Sequence, residues 1–382
     1  MASITMNVAN VAVDLALLYS LGLIGWFLGE IMRLPAAPVL GGVILVGGMR
    51  ILGFDLPYLP GSVIIFLQII LGVIVGSKLD RDAIGTLKSL ALPATLISSW
   101  ALSLALVFGL IIAFISPLDV TTGILSSSIG GLPEMTILAH DTQADSVTVV
   151  LFHVIRMFAT ITVFPLIFKY YRTSDSLNDG LSSDQEEKSI KDHDVNKNQV
   201  ENNSELAANN KERKNFVLHL LKIILTLIMA GIFGGFLLFL GVPAGGLVGG
   251  LLFIIFVQYF RFPVETPPDR ALKWVLVGIG LMVSDQVQPE TLELIVSGEL
   301  ILPLAFSLIF TMGSSLAVAY GIFRLTGWDF IMCFLASAPG GFTVMTGLAL
   351  QEGYEPVKVS LLHLARLVTL KLVIPFLFLL FY

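Results

Sequence analysis

Apolar runs long enough to cross a lipid bilayer recur along the whole chain, and they limit the folds open to it. A helix crosses the roughly 30 Å hydrocarbon layer in about 20 residues, and within that layer the backbone must satisfy its own hydrogen bonds. Only 13% of the residues are charged, against roughly 25% in soluble domains. The sequence therefore predicts an all-α polytopic membrane protein.

The apolar runs predict ten spans, five on either side of a polar stretch. They are 12–32, 36–54, 61–77, 88–115 and 146–169, then 216–240, 244–260, 271–284, 294–323 and 356–381. The stretch 172–214 holds 7 Lys or Arg and 10 Asp or Glu, 17 of the 50 charged residues, and too few apolar residues to fold. We therefore predict membrane repeat 1 (1–171), a disordered charged linker (172–214) and membrane repeat 2 (215–382).

The two halves repeat each other. LPAAPVLGG at 34–42 matches VPAGGLVGG at 242–250, an offset of 208, and GGLPEM at 130–135 matches GGFTVM at 340–345, an offset of 210. A His-x-x-Arg and a later proline also recur at 210, as His153, Arg156 and Pro165, then His363, Arg366 and Pro375. Such anchors, in the same order at a nearly constant offset, indicate an internal duplication.

Basic residues predict the orientation, because they concentrate in cytoplasmic loops. They fall on alternate loops only if the Gly-Gly segments do not cross. Each half then has five spans, the first starting outside and the second inside, which is an inverted repeat. The linker is cytoplasmic, both termini are outside, and Arg50 is the one basic residue left on the outer side. Full crossing by the Gly-Gly segments would instead give parallel six-span repeats, the less favoured arrangement.

A broken segment lies between the fourth and fifth span of each half. Two apolar pieces of about ten residues meet at Gly130-Gly131, and two more at Gly340-Gly341, each beside a proline. Ten helical residues cover about 15 Å, half of the hydrocarbon layer, and Gly-Gly with Pro permits a sharp reversal. Paired breaks in two repeats point to a transporter's binding site. We predict two re-entrant hairpins; the alternative is a kink that only aids packing.

The His-x-x-Arg pairs follow the breaks. An arginine near the middle of a span is costly unless it faces protein or water. Arg156 and Arg366 are therefore expected either to bind an anionic group or to tether the adjacent hairpin through backbone carbonyls. His153 and His363 share a face with them at i, i+3 and are candidate proton carriers.

Two charged residues have no counterpart in the other half. Glu134 corresponds to a valine and Lys371 to an isoleucine, which suggests an asymmetric ion or proton site, unless Glu134 simply pairs with Arg156 or Lys371. We expect no metal ligand and no cofactor. The predicted binding residues are Gly130, Gly131, Glu134, His153, Arg156, Gly340, Gly341, Thr343, His363, Arg366 and Lys371.

The repeated frame resembles the AbrB-type membrane protein family, which is unrelated to the small DNA-binding protein of similar name. The shared features are Pro-Gly-Gly, a downstream Met, Leu-His-x-x-Arg-Leu and a late Pro, as in APGGFTVMTGLAL…VSLLHLARLV…IP. The first half has Ser-Ile-Gly-Gly but keeps Glu134-Met135. The resemblance covers the chain except the linker. It implies a multi-pass protein of the bacterial cytoplasmic membrane, similar to secondary transporters; family labels include ammonia monooxygenase and regulator of gene expression.

The residues argue against an enzyme, because a copper or iron oxygenase needs a ligand cluster, and only His140 and Glu134 lie near His153. No basic patch with interleaved aromatics supports nucleic-acid binding. Helix N-termini and buried basic residues favour a secondary active transporter for a small anionic or zwitterionic solute, coupled to H+ or Na+. Monovalent cation/proton antiport and a membrane sensor that affects gene expression indirectly are the alternatives. The expected partners are that solute or cation, protons and the bilayer, with a homodimer left open.

Overall fold

A computed structural model describes residues 2–34, 36–78, 83–179, 205–260, 262, 265–286, 298 and 300–381. Every regular element in these ranges is helical, which confirms the all-α class, and the π-helical segment Leu104–Phe108 joins α4 to α5. The α-helices are α1 (Ala2–Ile31), α2 (Ala37–Ile51), α3 (Gly61–Ser77), α4 (Ala83–Ser103), α5 (Gly109–Ile115), α6 (Val120–Ser127), α7 (Leu132–Asp141), α8 (Ser146–Asp179), α9 (Glu205–Phe239), α10 (Gly245–Tyr259), α11 (Asp269–Ser284), α12 (Ile301–Thr326), α13 (Phe330–Ser337), α14 (Phe342–Gln351) and α15 (Pro356–Phe381).

Six helices in the described part of the chain are long and apolar enough to cross a membrane, as expected of a multi-pass membrane protein. Their apolar windows are Val11–Ile31, Lys88–Ile115, Ser146–Val163, Leu218–Phe239, Ile301–Thr326 and Pro356–Phe378. The helices α2, α3, α10 and α11 have 15, 17, 15 and 16 residues. At about 1.5 Å per residue they fall short of the hydrocarbon thickness, so their crossing stays a prediction.

The helices reach further into the polar stretch than the sequence predicts. The helix α8 continues to Asp179 and α9 begins at Glu205, so both ends of the stretch predicted to be disordered are helical. Glu, Lys, Ala and Leu at the start of α9 are good helix formers even without burial, which the argument from missing apolar surface overlooked. The rest of the predicted linker, 180–204, lies outside the described residues.

Helix packing follows the internal duplication. The helix α1 packs on α2 as α9 packs on α10, α10 contacts α3 as α2 contacts α11, and α15 contacts α4 as α8 contacts α12. The crossings use matched glycines: a Cβ on Gly72 would overlap the Leu247 carbonyl, and one on Gly280 would lie 2.5 Å from the Val39 carbonyl oxygen. Gly280 lies 208 residues after Gly72, and Leu247 lies 208 residues after Val39. The two contacts are therefore counterparts, and the duplication extends to backbone contacts between helices.

The two broken segments are embedded differently in the apolar core. The largest cluster of buried side chains takes in most of α13 and α14, including Met332, Cys333 and Met345. The corresponding parts of α6 and α7 belong to two smaller clusters, one with Leu125 and Met135 and the other with Ile129. The second broken segment is therefore held by more of the protein than the first.

Candidate functional site

Each broken segment consists of two short helices separated by a four-residue break. Residues 128–131 separate α6 from α7, and residues 338–341 separate α13 from α14. Gly131 and Gly341 are the N-cap residues of α7 and α14, and neither helix start is capped by a side chain. The first N–H groups of both helices are thus left without an intrahelical partner, and each helix start carries partial positive charge.

The glycine and the methionine that recur in both breaks form one packing unit. A Cβ added to Gly130 would lie 2.8 Å from Met135 Cε, and one added to Gly340 would lie 2.9 Å from Met345 Cε. At Gly340 the added Cβ would also lie 2.9 Å from Thr160 Cγ2 of α8. Each methionine therefore folds back onto its break, and only glycine leaves room for it.

Both breaks line a single cavity of about 290 Å³. Eight predicted binding residues contribute to its wall: Gly130, Gly131, Glu134, His153, Arg156, Gly340, Gly341 and Thr343. The other three, His363, Arg366 and Lys371, do not line it. The structure therefore brings the two halves together at one site but divides the predicted residues into two groups.

In the second half, the His-x-x-Arg pair holds the break by backbone carbonyls. His363 Nε2 donates to the Leu335 carbonyl at 2.9 Å, and Arg366 Nη1 donates to the Ala338 carbonyl at 2.8 Å. Arg366 Nη2 lies 3.0 Å from His363 Nδ1, which must accept, so the histidine is neutral with its proton on Nε2. Both side chains are fully buried. This pair is a tether, one of the two roles expected from the sequence.

In the first half, the same pair is buried, and the backbone of Ser128 in the break lies close to His153, but Arg156 makes no such tether. His153 Nδ1 donates to the carbonyl of Val149, in its own helix, at 2.8 Å. Neither His153 Nε2 nor the Nε and Nη1 atoms of Arg156 has a hydrogen-bond partner in the described part of the chain. Arg156 is only 5% exposed. A buried guanidinium with free donors, facing a cavity, is available to bind an anionic group.

Glu134 lies in the first turn of α7, and its carboxylate folds back over the break. A Cβ added to Gly131 would overlap Glu134 Oε2, so glycine at this position leaves space for the carboxylate. Within the ranges given above, no Lys, Arg or His comes within 4.0 Å of it. The pairing with Arg156 or Lys371 that the sequence left open is therefore not observed.

Lys371 is placed differently from the prediction. Its Nζ donates to the carbonyl of Gly241, in the turn between α9 and α10, and it does not contribute to the cavity wall. A lysine in an apolar span needs a polar partner, and here the freed carbonyls of a helix end supply one. Lys371 therefore lies apart from the cavity that eight of the predicted residues line, and its part in binding stays a prediction.

Sequence reasoning missed several residues of the cavity wall. Gln68 of α3 and Gln286, just after α11, place amide groups at the cavity. Gln68 is the single polar side chain larger than serine in GSVIIFLQIILGVIVGS, a signal that could have identified it. Ala244, the N-cap of α10, has left-handed backbone angles, and Ala36 does the same at the start of α2. Such angles are uncommon outside glycine, and they mark another feature of the duplication.

The charges around the cavity are predominantly positive. Arg156, the start of α7 and the start of α14 all face it. Glu134 contributes the opposing negative charge. No group of three or more His, Cys, Asp or Glu side chains that could hold a metal ion occurs in the described ranges. The arrangement of charges is suited to binding a small charged solute.

Comparison with known proteins gives one family. Residues 1–172 and 192–382 match the model of the family AbrB, described as "Transition state regulatory protein AbrB". The unmatched residues fall in the polar stretch between the halves, so the match covers both repeats. No curated protein matches the chain, and no solved structure matches it.

Proposed function

Because the chain belongs to the AbrB family and forms one cavity from two broken segments, we propose that it is a secondary active transporter. Its cargo is a small anionic or zwitterionic solute, and its coupling ion is H+ or Na+. The observation that carries the proposal is Arg156, which is buried with unpartnered donors at a cavity formed by both halves. The proposal includes no catalytic step.

A bound anionic group would supply acceptors for donors that the described protein leaves without a partner. Buried donors of a charged side chain without partners are unfavourable, and Nε and Nη1 of Arg156 are in that position. The N–H groups at the starts of α7 and α14 add donors and partial positive charge. A carboxylate at Arg156 would accept from its free donors, which supports anion binding over simple packing.

Transport further requires that the cavity open alternately to the two sides. We propose that the halves form inverted five-span repeats with re-entrant hairpins at the breaks, because the basic loops alternate only in that arrangement. The corresponding helix pairs support two equivalent units. Movement of one unit against the other around a fixed site is the usual mechanism of such folds.

A direct test uses purified protein in liposomes that hold a pH gradient reported by a dye. Solute-driven collapse of the gradient, from a panel of small carboxylates and amino acids, is the expected result. Arg156→Ala and Glu134→Gln should abolish it while the proteins still insert and fold. Arg270→Ala, which removes an exposed arginine, is the matched control and should retain flux. Full flux in both site variants would remove the site assignment, and binding without flux would indicate a sensor.

One observation favours a second candidate, monovalent cation/proton antiport. Glu134 lines the cavity without a cationic partner in the described chain, so its carboxylate is open to Na+, K+ or a proton. In the same liposomes, collapse of the gradient by a cation chloride alone would establish antiport. Collapse that needs an organic solute would exclude it.

A further inference from the structure

We propose that the transported solute is a zwitterionic α-amino acid with an apolar side chain. Its carboxylate binds Arg156 and the start of α14, and its ammonium group binds Glu134, whose carboxylate lies over the start of α7. This inference rests on the proposed transport function and deepens it by choosing between anionic and zwitterionic solutes.

The cavity wall carries one positive and one negative side chain. Arg156 and Glu134 both line the cavity, yet no ion pair within 4.0 Å joins them. A simple anion bound at Arg156 would lie beside an uncompensated carboxylate, and a simple cation at Glu134 would lie beside an uncompensated guanidinium. A molecule that carries an ammonium and a carboxylate on one carbon satisfies both groups at once, because each of its charges can then lie beside an opposite charge.

Hydrogen-bond donors and acceptors occupy different regions of the cavity wall. The unpartnered donors of Arg156 and the uncapped start of α14 require an acceptor such as a carboxylate. The carboxylate of Glu134 is an acceptor only and requires a donor such as an ammonium group. The polar part of the site therefore consists of one region that accepts a carboxylate and another that accepts an ammonium, both supplied largely by the first half of the chain.

The cavity is small, and the rest of its wall is mainly apolar. The cavity volume of about 290 Å³ is at the lower limit of the roughly 300–1,000 Å³ found for small-molecule sites. It therefore suits a solute of few heavy atoms. Apart from two glutamines and Thr343, the wall beyond the charged groups is mainly apolar: Ile64, Met157, Met282, Val283, Val344 and Leu367. An aliphatic or thioether side chain matches this surface.

The test compares three probes that share one carbon skeleton. Leucine carries both charges, 4-methylpentanoate lacks the ammonium group, and 3-methylbutylamine lacks the carboxylate. Binding to the purified full-length protein is measured by calorimetry, and uptake is measured in liposomes, with valine and methionine added to the panel. We expect at least one of the three amino acids to bind at least tenfold tighter than both singly charged probes.

The variant Glu134→Gln tests the ammonium contact. It should weaken amino-acid binding at least tenfold and strengthen 4-methylpentanoate, because the carboxylate that repels a simple anion has gone. Glu355→Gln, an exposed glutamate paired with Lys358, is the control and should change neither.

The outcomes separate this inference from the proposed function. If wild-type protein binds 4-methylpentanoate as tightly as any amino acid, the zwitterion inference is overturned while solute transport stands. If none of the three amino acids binds but other organic anions are taken up, the result is the same. If no organic solute binds and a cation alone dissipates the gradient, both proposals fail.

Discussion

The two breaks of this protein have nearly the same sequence frame but different surroundings. In the second half, Arg366 donates to the Ala338 carbonyl of the break, His363 donates to the Leu335 carbonyl of α13, and most of the segment lies in the largest apolar cluster. In the first half, the equivalent His153 and Arg156 leave donors unpartnered at the cavity. Duplication thus supplied two copies of one His-x-x-Arg frame: one copy donates to nearby backbone carbonyls, and the other has side-chain donors without a partner in the described chain. The predictions below test that division.

Volume-matched substitution of the two arginines gives the largest expected effect. Arg366→Met removes hydrogen bonds to the Ala338 carbonyl and to His363, and at roughly 1.5–3 kcal/mol for each bond to a charged group it should cost about 3–6 kcal/mol of stability. Arg156→Met removes an unpartnered buried charge and should cost less than about 1 kcal/mol or stabilise. Thermal unfolding in detergent measures both. Equal destabilisation of the two variants would show that Arg156 and Arg366 contribute equally to stability.

An ion pair that joins the halves gives the next largest effect. Arg50, the basic residue that did not fit the orientation scheme, is buried and donates to Asp285 Oδ1 at 2.7 Å, while Asp285 Oδ2 accepts from the Leu59 N–H. Its guanidinium also lies 4.2 Å from the ring centre of Tyr58. Asp285→Ala leaves this cation unpaired and should cost about 3–5 kcal/mol.

The control for that experiment is an exposed ion pair. Lys358 and Glu355 form a pair at 2.8 Å that is partly open to solvent, so Glu355→Ala should cost no more than about 1 kcal/mol. If Asp285→Ala unfolded at the same temperature as Glu355→Ala, the contact between the halves would have no structural importance.

Alanine at the recurring glycine distinguishes how tightly each break is held. At Gly340 the new Cβ meets Thr160 of α8 as well as Met345, whereas the close contacts at Gly130 are all with Met135. A methionine can change rotamer, but a buried β-branched threonine is stiff at χ1. Gly340→Ala should therefore cost about 1–3 kcal/mol, and Gly130→Ala should cost less. The reverse order of unfolding temperatures would contradict the tighter packing of the second break.

The smallest expected effect concerns a hydroxyl pair present in one half. Ser315 and Ser337 each donate to the other's backbone carbonyl at 3.1 Å, which holds α13 against α12. The first-half counterparts are Ala105 and Ser127, and Ser127 Oγ has no partner in the described chain. Ser315→Ala should cost about 1 kcal/mol, with Ser314→Ala as the partly exposed control. If Ser315→Ala and Ser314→Ala unfolded at the same temperature, this hydroxyl pair would contribute nothing to stability.

Much of the helical framework was predictable from the sequence. The predicted spans 61–77 and 356–381 have the bounds of α3 and α15, because apolar runs bounded by Pro, Gly or charge have one stable form in hydrocarbon. The paired breaks and eight residues of the cavity wall also followed from the pattern. The position of Lys371 outside the cavity wall was not predicted and Gln68 was overlooked, because the partner of each side chain comes from a distant helix.

The sequence by itself determined that the chain is an all-helical membrane protein of two related halves, each with a broken segment. The physical reason is that apolar length, helix-breaking residues and internal repetition can be read from the order of the residues, without knowledge of any contact between helices. Only the tertiary structure decided which arginine is a tether and which is unpartnered, since both lie in the same His-x-x-Arg frame. That difference depends on whether a carbonyl of the break, 28 residues earlier in the case of Arg366, lies within about 3 Å of the guanidinium, and only packing between elements sets that distance.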